Sequence, residues 1–173
     1  MQTLLHFYDP ELQCFTFQDY QLAPTLEEYA HLLHIKLTGH VPFVQIPIEP
    51  DFEAIAKVLY LSLNDVKGKW RRNKVTSGLP TDFLASKAKE MANMGNWDAY
   101  YALLADIIYG VVLFPEIKEI MDLASLCVFM NKNPIPTLLA DTYHAIHSRH
   151  GKKGVVVCCT PMLYQWFMAQ LPT

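Results

Sequence analysis

One stretch of this chain is apolar in every direction. Across 99–114, fourteen of sixteen residues are apolar or aromatic, and only Asp106 and Gly110 interrupt them. At about 3.6 residues per helical turn such a run leaves no polar face. It predicts a central helix over about 97–114, buried on all sides, with Leu103, Leu104, Ile107, Ile108, Val111 and Val112 in the core. A membrane-spanning helix needs about 20 apolar residues, so this shorter run with a carboxylate in its middle reads as a packed helix with no membrane role.

The other elements follow from caps and breakers. Residues 1–24 read as an extended or irregular lead-in: Phe15 and Phe17 alternate as in a strand, but over too few positions to argue for a sheet. Thr25-Leu26-Glu27-Glu28 is a capping box that opens a helix whose apolar face carries Leu26, Tyr29, Leu32 and Leu33. Gly39, Pro42, Pro47 and Pro50 mark a connector, after which Asp51 caps a helix reaching Leu61. A short turn from Ser62 leads into a basic stretch closed by Gly78 and Pro80. Further helices are predicted over 81–94, ended by Gly95, then 116–130 and 136–148. A last helix runs from a Thr160 cap, with Pro161 at its first position, to Leu171, and 155–159 reads as a short strand or as the first turns of that helix. Asn96 caps the central helix and Pro115 ends it. The fold class read from this pattern is mainly α, a single multi-helix domain over 1–173.

Composition narrows the picture. At 173 residues and 51% hydrophobic content the chain is long enough for a substantial core, which excludes a mainly disordered protein. A net charge of −3 excludes a molecule that binds nucleic acid through its overall field. Cys14, Cys127, Cys158 and Cys159 form no C-x-x-C motif, and the N-terminus has no basic flank of a secretory signal. Both features predict reduced cysteines and an intracellular protein.

Charge changes the picture at one place. Lys67, Lys69, Arg71, Arg72 and Lys74 supply five of the fourteen basic residues, with Trp70 among them, whereas 1–35 holds five acids and no lysine or arginine. A basic run with an aromatic can follow a phosphate backbone and stack on a base. It can equally be a solvated loop, and the near-neutral total favours that reading.

Catalytic patterns are weak. Asp141, His144, His147 and His150 fall at three-residue steps, but the third histidine drifts round the helix, and His31 and His34 repeat the spacing elsewhere, so no metal is predicted. Cys158 or Cys159 with His144 or His147 lacks any feature that would lower a thiol pKa. Paired carboxylates at Glu27–Glu28 and at Glu116 with Glu119 sit at predicted helix starts, where capping explains them. No phosphate-binding glycine motif or G-x-S-x-G is present.

Three segments together resemble the plant mobile domain, a transposon-derived domain of unknown biochemical function sometimes labelled aminotransferase-like. They are 15–33 (FTFQDYQLAPTLEEYAHLL), 79–115 with its NWDAYYALLADIIYGVVLFP, and 163–172 (LYQWFMAQLP), in the family's order. The resemblance implies a transposon-derived plant protein of the nucleus; the near-neutral charge and the loop prolines and aromatics favour a domain that engages protein partners without catalysis, with nucleic-acid contact through the basic 67–74 stretch as the alternative. The resemblance also implies a copy shortened at its C-terminus, because the family's domain continues past the Leu-Pro element. The aminotransferase label implies pyridoxal phosphate on a lysine, but none of Lys87, Lys89, Lys118 or Lys132 has a recognisable cofactor context. The expectation is a non-enzyme without cofactor.

Overall fold

The computed structural model describes residues 2–37, 44–72, 76–115, 119–152 and 155–171. In chain order its first elements are α1 (Gln2–Leu5), β1 (Tyr8–Asp9), β2 (Cys14–Thr16), β3 (Gln21–Leu22), α2 (Leu26–Leu32), α3 (Phe52–Val58) and α4 (Leu63–Lys69). Then come β4 (Arg71–Arg72), β5 (Ser77–Pro80), α5 (Thr81–Asn93), α6 (Trp97–Ile108) and a π turn, Tyr109–Leu113, that continues α6. The last are β6 (Ile120–Asp122), α7 (Leu123–Asn131), α8 (Ile135–Arg149) and α9 (Thr160–Ala169).

Helices dominate, but the strands pair into two three-stranded antiparallel sheets, β1-β2-β3 and β4-β5-β6. The fold is therefore mostly helical, as expected, but α+β, which corrects the mainly α reading by adding two small sheets. Strands of two to four residues are too short to display a period-2 pattern, and their stability comes from pairing across the sheet. Thus 1–24, read as an extended or irregular lead-in, holds a sheet with Tyr8 opposite Phe15 and Phe15 opposite Leu22.

Contacts divide the chain into two compact units, Met1–Phe43 with Ile135–Thr173, and Val44–Pro134. In the first, α2 packs on α8 and α9 around Phe15, Tyr29, Leu138, Leu163 and Trp166, all buried. The capping box forms: the Glu28 amide donates to the Thr25 hydroxyl, and the Thr25 amide donates to the Glu28 carboxylate at 2.9 Å. That carboxylate also accepts from Trp166 Nε1 at 2.9 Å and from Gln170 Nε2 at 2.9 Å. One side chain thus caps α2 and fastens α9 to it. The α9 cap differs from the expectation. Cys159 occupies it, and Thr160, already inside the first turn, turns its hydroxyl back to the Cys158 carbonyl. Residues 155–159 form neither strand nor helix.

In the second unit α5 packs along α6, and the core gathers Ile55, Leu59, Val66, Leu79, Leu84, Leu103, Met121 and Leu126. Caps at Asp51 and Asn96 start α3 and α6 as their sequence signals predict, and Ser62, expected to open only a short turn, caps the helix α4. Helix α3 stops at Val58, short of the predicted Leu61, because Tyr60 turns left-handed (φ 55°) and the Leu61 amide closes back on the Ala56 carbonyl. Helix α7 begins at Asp122, whose carboxylate accepts from the Ser125 amide, and the preceding residues pair as β6. Of the predicted 116–130 helix, 116–118 lies outside the described residues. In β5, Gly78 is required: a Cβ there would run into the Met121 backbone carbonyl of β6.

Candidate functional site: an open apolar face and a basic edge

Two seams run along α6 and its π turn in alternating steps of four and three residues. Ala99, Leu103, Asp106, Gly110 and Leu113 are buried. Nearly opposite them, Trp97 is 54% exposed, Tyr101 60%, Leu104 36%, Ile108 43%, Val111 48% and Val112 38%. Leu103 sits in the core and Ile107 packs partly against it, as predicted. The placement of Leu104, Ile108, Val111 and Val112 in the core is corrected: one side of the helix is covered by its own unit and the other is open. A periodicity argument cannot separate two seams that are both apolar. The π turn widens the helix where Val111 and Val112 both reach the surface.

The buried seam holds the polar group that its sequence neighbours conceal. Asp106 is fully buried, and neither carboxylate oxygen has a hydrogen-bond partner among the described residues. Burial pushes its carboxyl up to about 8, so at neutral pH it is held mainly as the uncharged acid. Close by in sequence, a Cβ on Gly110 would lie 2.7 Å from the end of the Met121 side chain, which fills that space.

The basic segment lies on α4 and the edge strand β4. Lys67, Lys69, Arg71 and Arg72 are exposed, and Lys74 lies outside the described residues. Trp70 is only partly exposed, because its ring meets Phe52 edge-on at a centroid distance of 5.2 Å. Lys67 Nζ lies 6.0 Å from the same Phe52 ring. Arg72 pairs with Glu49 at 3.2 Å, and Arg71 lines a cleft of about 410 Å³ with Thr81, Asp82 and Glu119. The structure brings the two arginines near carboxylates of their own unit and turns the aromatic partly inward.

The other candidates are placed as follows. Among the described residues no group of three or more His, Cys, Asp or Glu side chains is arranged to hold a metal ion. His144, His147 and His150 are exposed, and His150 packs against Tyr8 at a ring distance of 5.9 Å. Cys158 and Cys159 are buried. Burial first, with Asp141 and Cys159 adding, pushes the Cys158 thiol up to about 12, and burial also raises Cys159. Such thiols stay protonated at neutral pH, the reverse of a primed nucleophile. Lys87 is engaged by Asp65 and Glu90 at 3.5 and 3.0 Å, and Lys118 lies outside the described residues. Among the described residues no helix is long and apolar enough to cross a membrane.

The segments that carried the sequence resemblance acquire structural roles here. Thr25, Glu28, Trp166 and Gln170 form one hydrogen-bonded lock between α2 and α9. A family model described as a domain of unknown function, DUF7745, matches residues 1–173. The chain belongs to that family. The match covers both compact units. No curated protein and no solved structure matches the chain.

Proposed function

We propose that this DUF7745 chain is a protein-interaction domain without catalytic activity, and that the open face of α6 is its contact surface. The observation that carries the reading is the stripe from Trp97 to Val112, six large apolar side chains between 36% and 60% exposed on one side of one helix. Scattered exposed apolar residues are ordinary, but a contiguous patch marks a contact site. Aromatic anchors flanked by aliphatic residues are the usual centre of a protein interface. The resemblance of 15–33, 79–115 and 163–172 to the plant mobile domain extends this reading to a transposon-derived plant protein that works in the nucleus.

The competing reading is a weak nucleic-acid contact through Lys67, Lys69, Trp70, Arg71, Arg72 and Lys74. The Arg72–Glu49 pair and the packing of Trp70 on Phe52 weigh against it, since base stacking requires a free ring face. One set of measurements separates the two. DNA and RNA titrations at two salt concentrations should show no tight binding at physiological salt. Proteins captured from plant nuclear extract by the chain should be lost on Tyr101→Glu, a substitution at an exposed site that should leave the circular-dichroism spectrum unchanged. Tight, salt-sensitive binding abolished by Arg71→Glu with Arg72→Glu would replace the interaction reading, and capture indifferent to Tyr101→Glu would remove α6 from it.

A further inference from the structure

We infer that the open face of α6 pairs with the same face of a second copy of this chain, antiparallel and about a twofold axis. The inference rests on the interaction reading above and names its partner.

Three features of the stripe argue for a second copy. The first is area. Ordinary side-chain areas scaled by the exposures of Trp97, Tyr101, Leu104, Ile108, Val111 and Val112 leave about 500 Å² open, so a twofold pairing that covered all six would remove about 1,000 Å² from water, the threshold a biological interface has to reach. The second is spacing. Steps of four and three from Trp97 to Val111 form the seam by which one helix interlocks with another, over about 20 Å of helix. A face whose knobs are also the holes for an identical face satisfies the requirement of a twofold contact.

The third feature fixes direction. The stripe is graded: Trp97 and Tyr101 are bulky, Leu104 is central, and Ile108, Val111 and Val112 are smaller and β-branched. Antiparallel pairing sets Trp97 against Val111 and Tyr101 against Ile108, and brings Leu104 to its own counterpart, so the helices keep an even separation. Parallel pairing would set indole on indole at one end and valine on valine at the other. Charge agrees. Asp98 is the one exposed charged residue between 97 and 112, at the N-terminal end of α6. Antiparallel pairing holds the two Asp98 carboxylates about 20 Å apart, beyond a Debye length at physiological salt, whereas parallel pairing sets them side by side.

The test is the mass of the 173-residue chain by sedimentation equilibrium, from low to several hundred micromolar. The expected result is a concentration-dependent rise to twice the chain mass, abolished by Leu104→Lys and also by Val111→Lys, with unchanged circular dichroism. Direction is read by oxidative cross-linking, because all four native cysteines are buried. Leu104→Cys should yield a disulfide-linked dimer, and Trp97→Cys should do so only when mixed with Val111→Cys. A chain that stays monomeric throughout, or a dimer untouched by folded Leu104→Lys and Val111→Lys variants, overturns the inference. Cross-linking of Trp97→Cys with itself overturns the antiparallel arrangement. Capture from nuclear extract that is lost on Tyr101→Glu, found for a chain that is monomeric, would leave the interaction reading standing while removing the second copy as its partner.

Discussion

The two compact units handle buried polarity in opposite ways. In the unit built from the chain ends, buried polar side chains connect segments far apart in sequence. Trp166 Nε1 donates to Glu28, the Tyr29 hydroxyl donates to Thr142 at 3.3 Å, and the Tyr143 hydroxyl donates to the Pro24 carbonyl at 3.0 Å. The Tyr8 hydroxyl, without a partner among the described residues, departs from this pattern. The central unit is held by an apolar cluster of α3–α7 side chains and the β4-β5-β6 sheet, and its buried carboxyl, Asp106, has no hydrogen-bond partner among the described residues. Segments that begin and end a chain have the largest loop to close, so directional bonds that specify one docking geometry are valuable there. A contiguous segment meets its partners locally and can rely on packing.

The largest expected effect strikes the polar lock. Trp166→Ala removes a 1%-exposed indole, opens a cavity between α9 and β2, and takes one donor from Glu28. A loss of about 3–5 kcal/mol is expected in chemical denaturation. A loss below about 1 kcal/mol would mean that the two chain ends are not joined through this residue.

Asp106→Asn tests the central unit. The carboxyl rises from 3.8 when free to about 8 when buried, so the folded state binds the proton more tightly than the unfolded state between those values. Its penalty is therefore absent below pH 3.8, grows as pH rises and is complete above about 8. Between pH 5 and 7 the stability of Asp106→Asn relative to the parent should rise by roughly 1.4 kcal/mol per pH unit, flattening towards pH 8 and above. A difference independent of pH would place that carboxyl in contact with water or a cation.

The smallest effect compares caps. Thr25→Ala in the first unit and Asp51→Ala in the second each remove a single N-cap acceptor. Each should cost about 1 kcal/mol. Thr25→Ala should cost the more, because it also loosens the Glu28 carboxylate that holds Trp166 and Gln170. Equal costs would show that the lock does not depend on its cap.

How much of this was legible in the sequence follows from the range of each interaction. Caps at Thr25, Asp51 and Asn96 act over three residues and are legible in the sequence, whereas the turn expected from Ser62 proves to be a capped helix, α4. The left-handed turn at Tyr60 was missed because no glycine marks it. The strands were missed because pairings such as Gly78 with Asp122 join positions far apart, each in a segment too short to carry a pattern. The basic composition of 67–74 was visible, but the proximity of Glu49 to Arg72 and of Phe52 to Trp70 was not.

The central helix marks the boundary between what the sequence determined and what only the tertiary structure decided. Its existence, its Asn96 cap and its end at Pro115 lie in local chemistry, as does the expectation that something must cover so apolar a surface. Which seam the protein covers itself was decided by packing, because Leu103 and Leu104 are the same residue one step apart, yet one is fully buried and the other 36% exposed. The same packing decided that Asp106 would face inward, where it is held mainly as the uncharged acid at neutral pH. Hydrophobicity is a property of each residue, whereas burial is a property of its neighbours, and those neighbours are set by contacts that no single stretch of sequence contains.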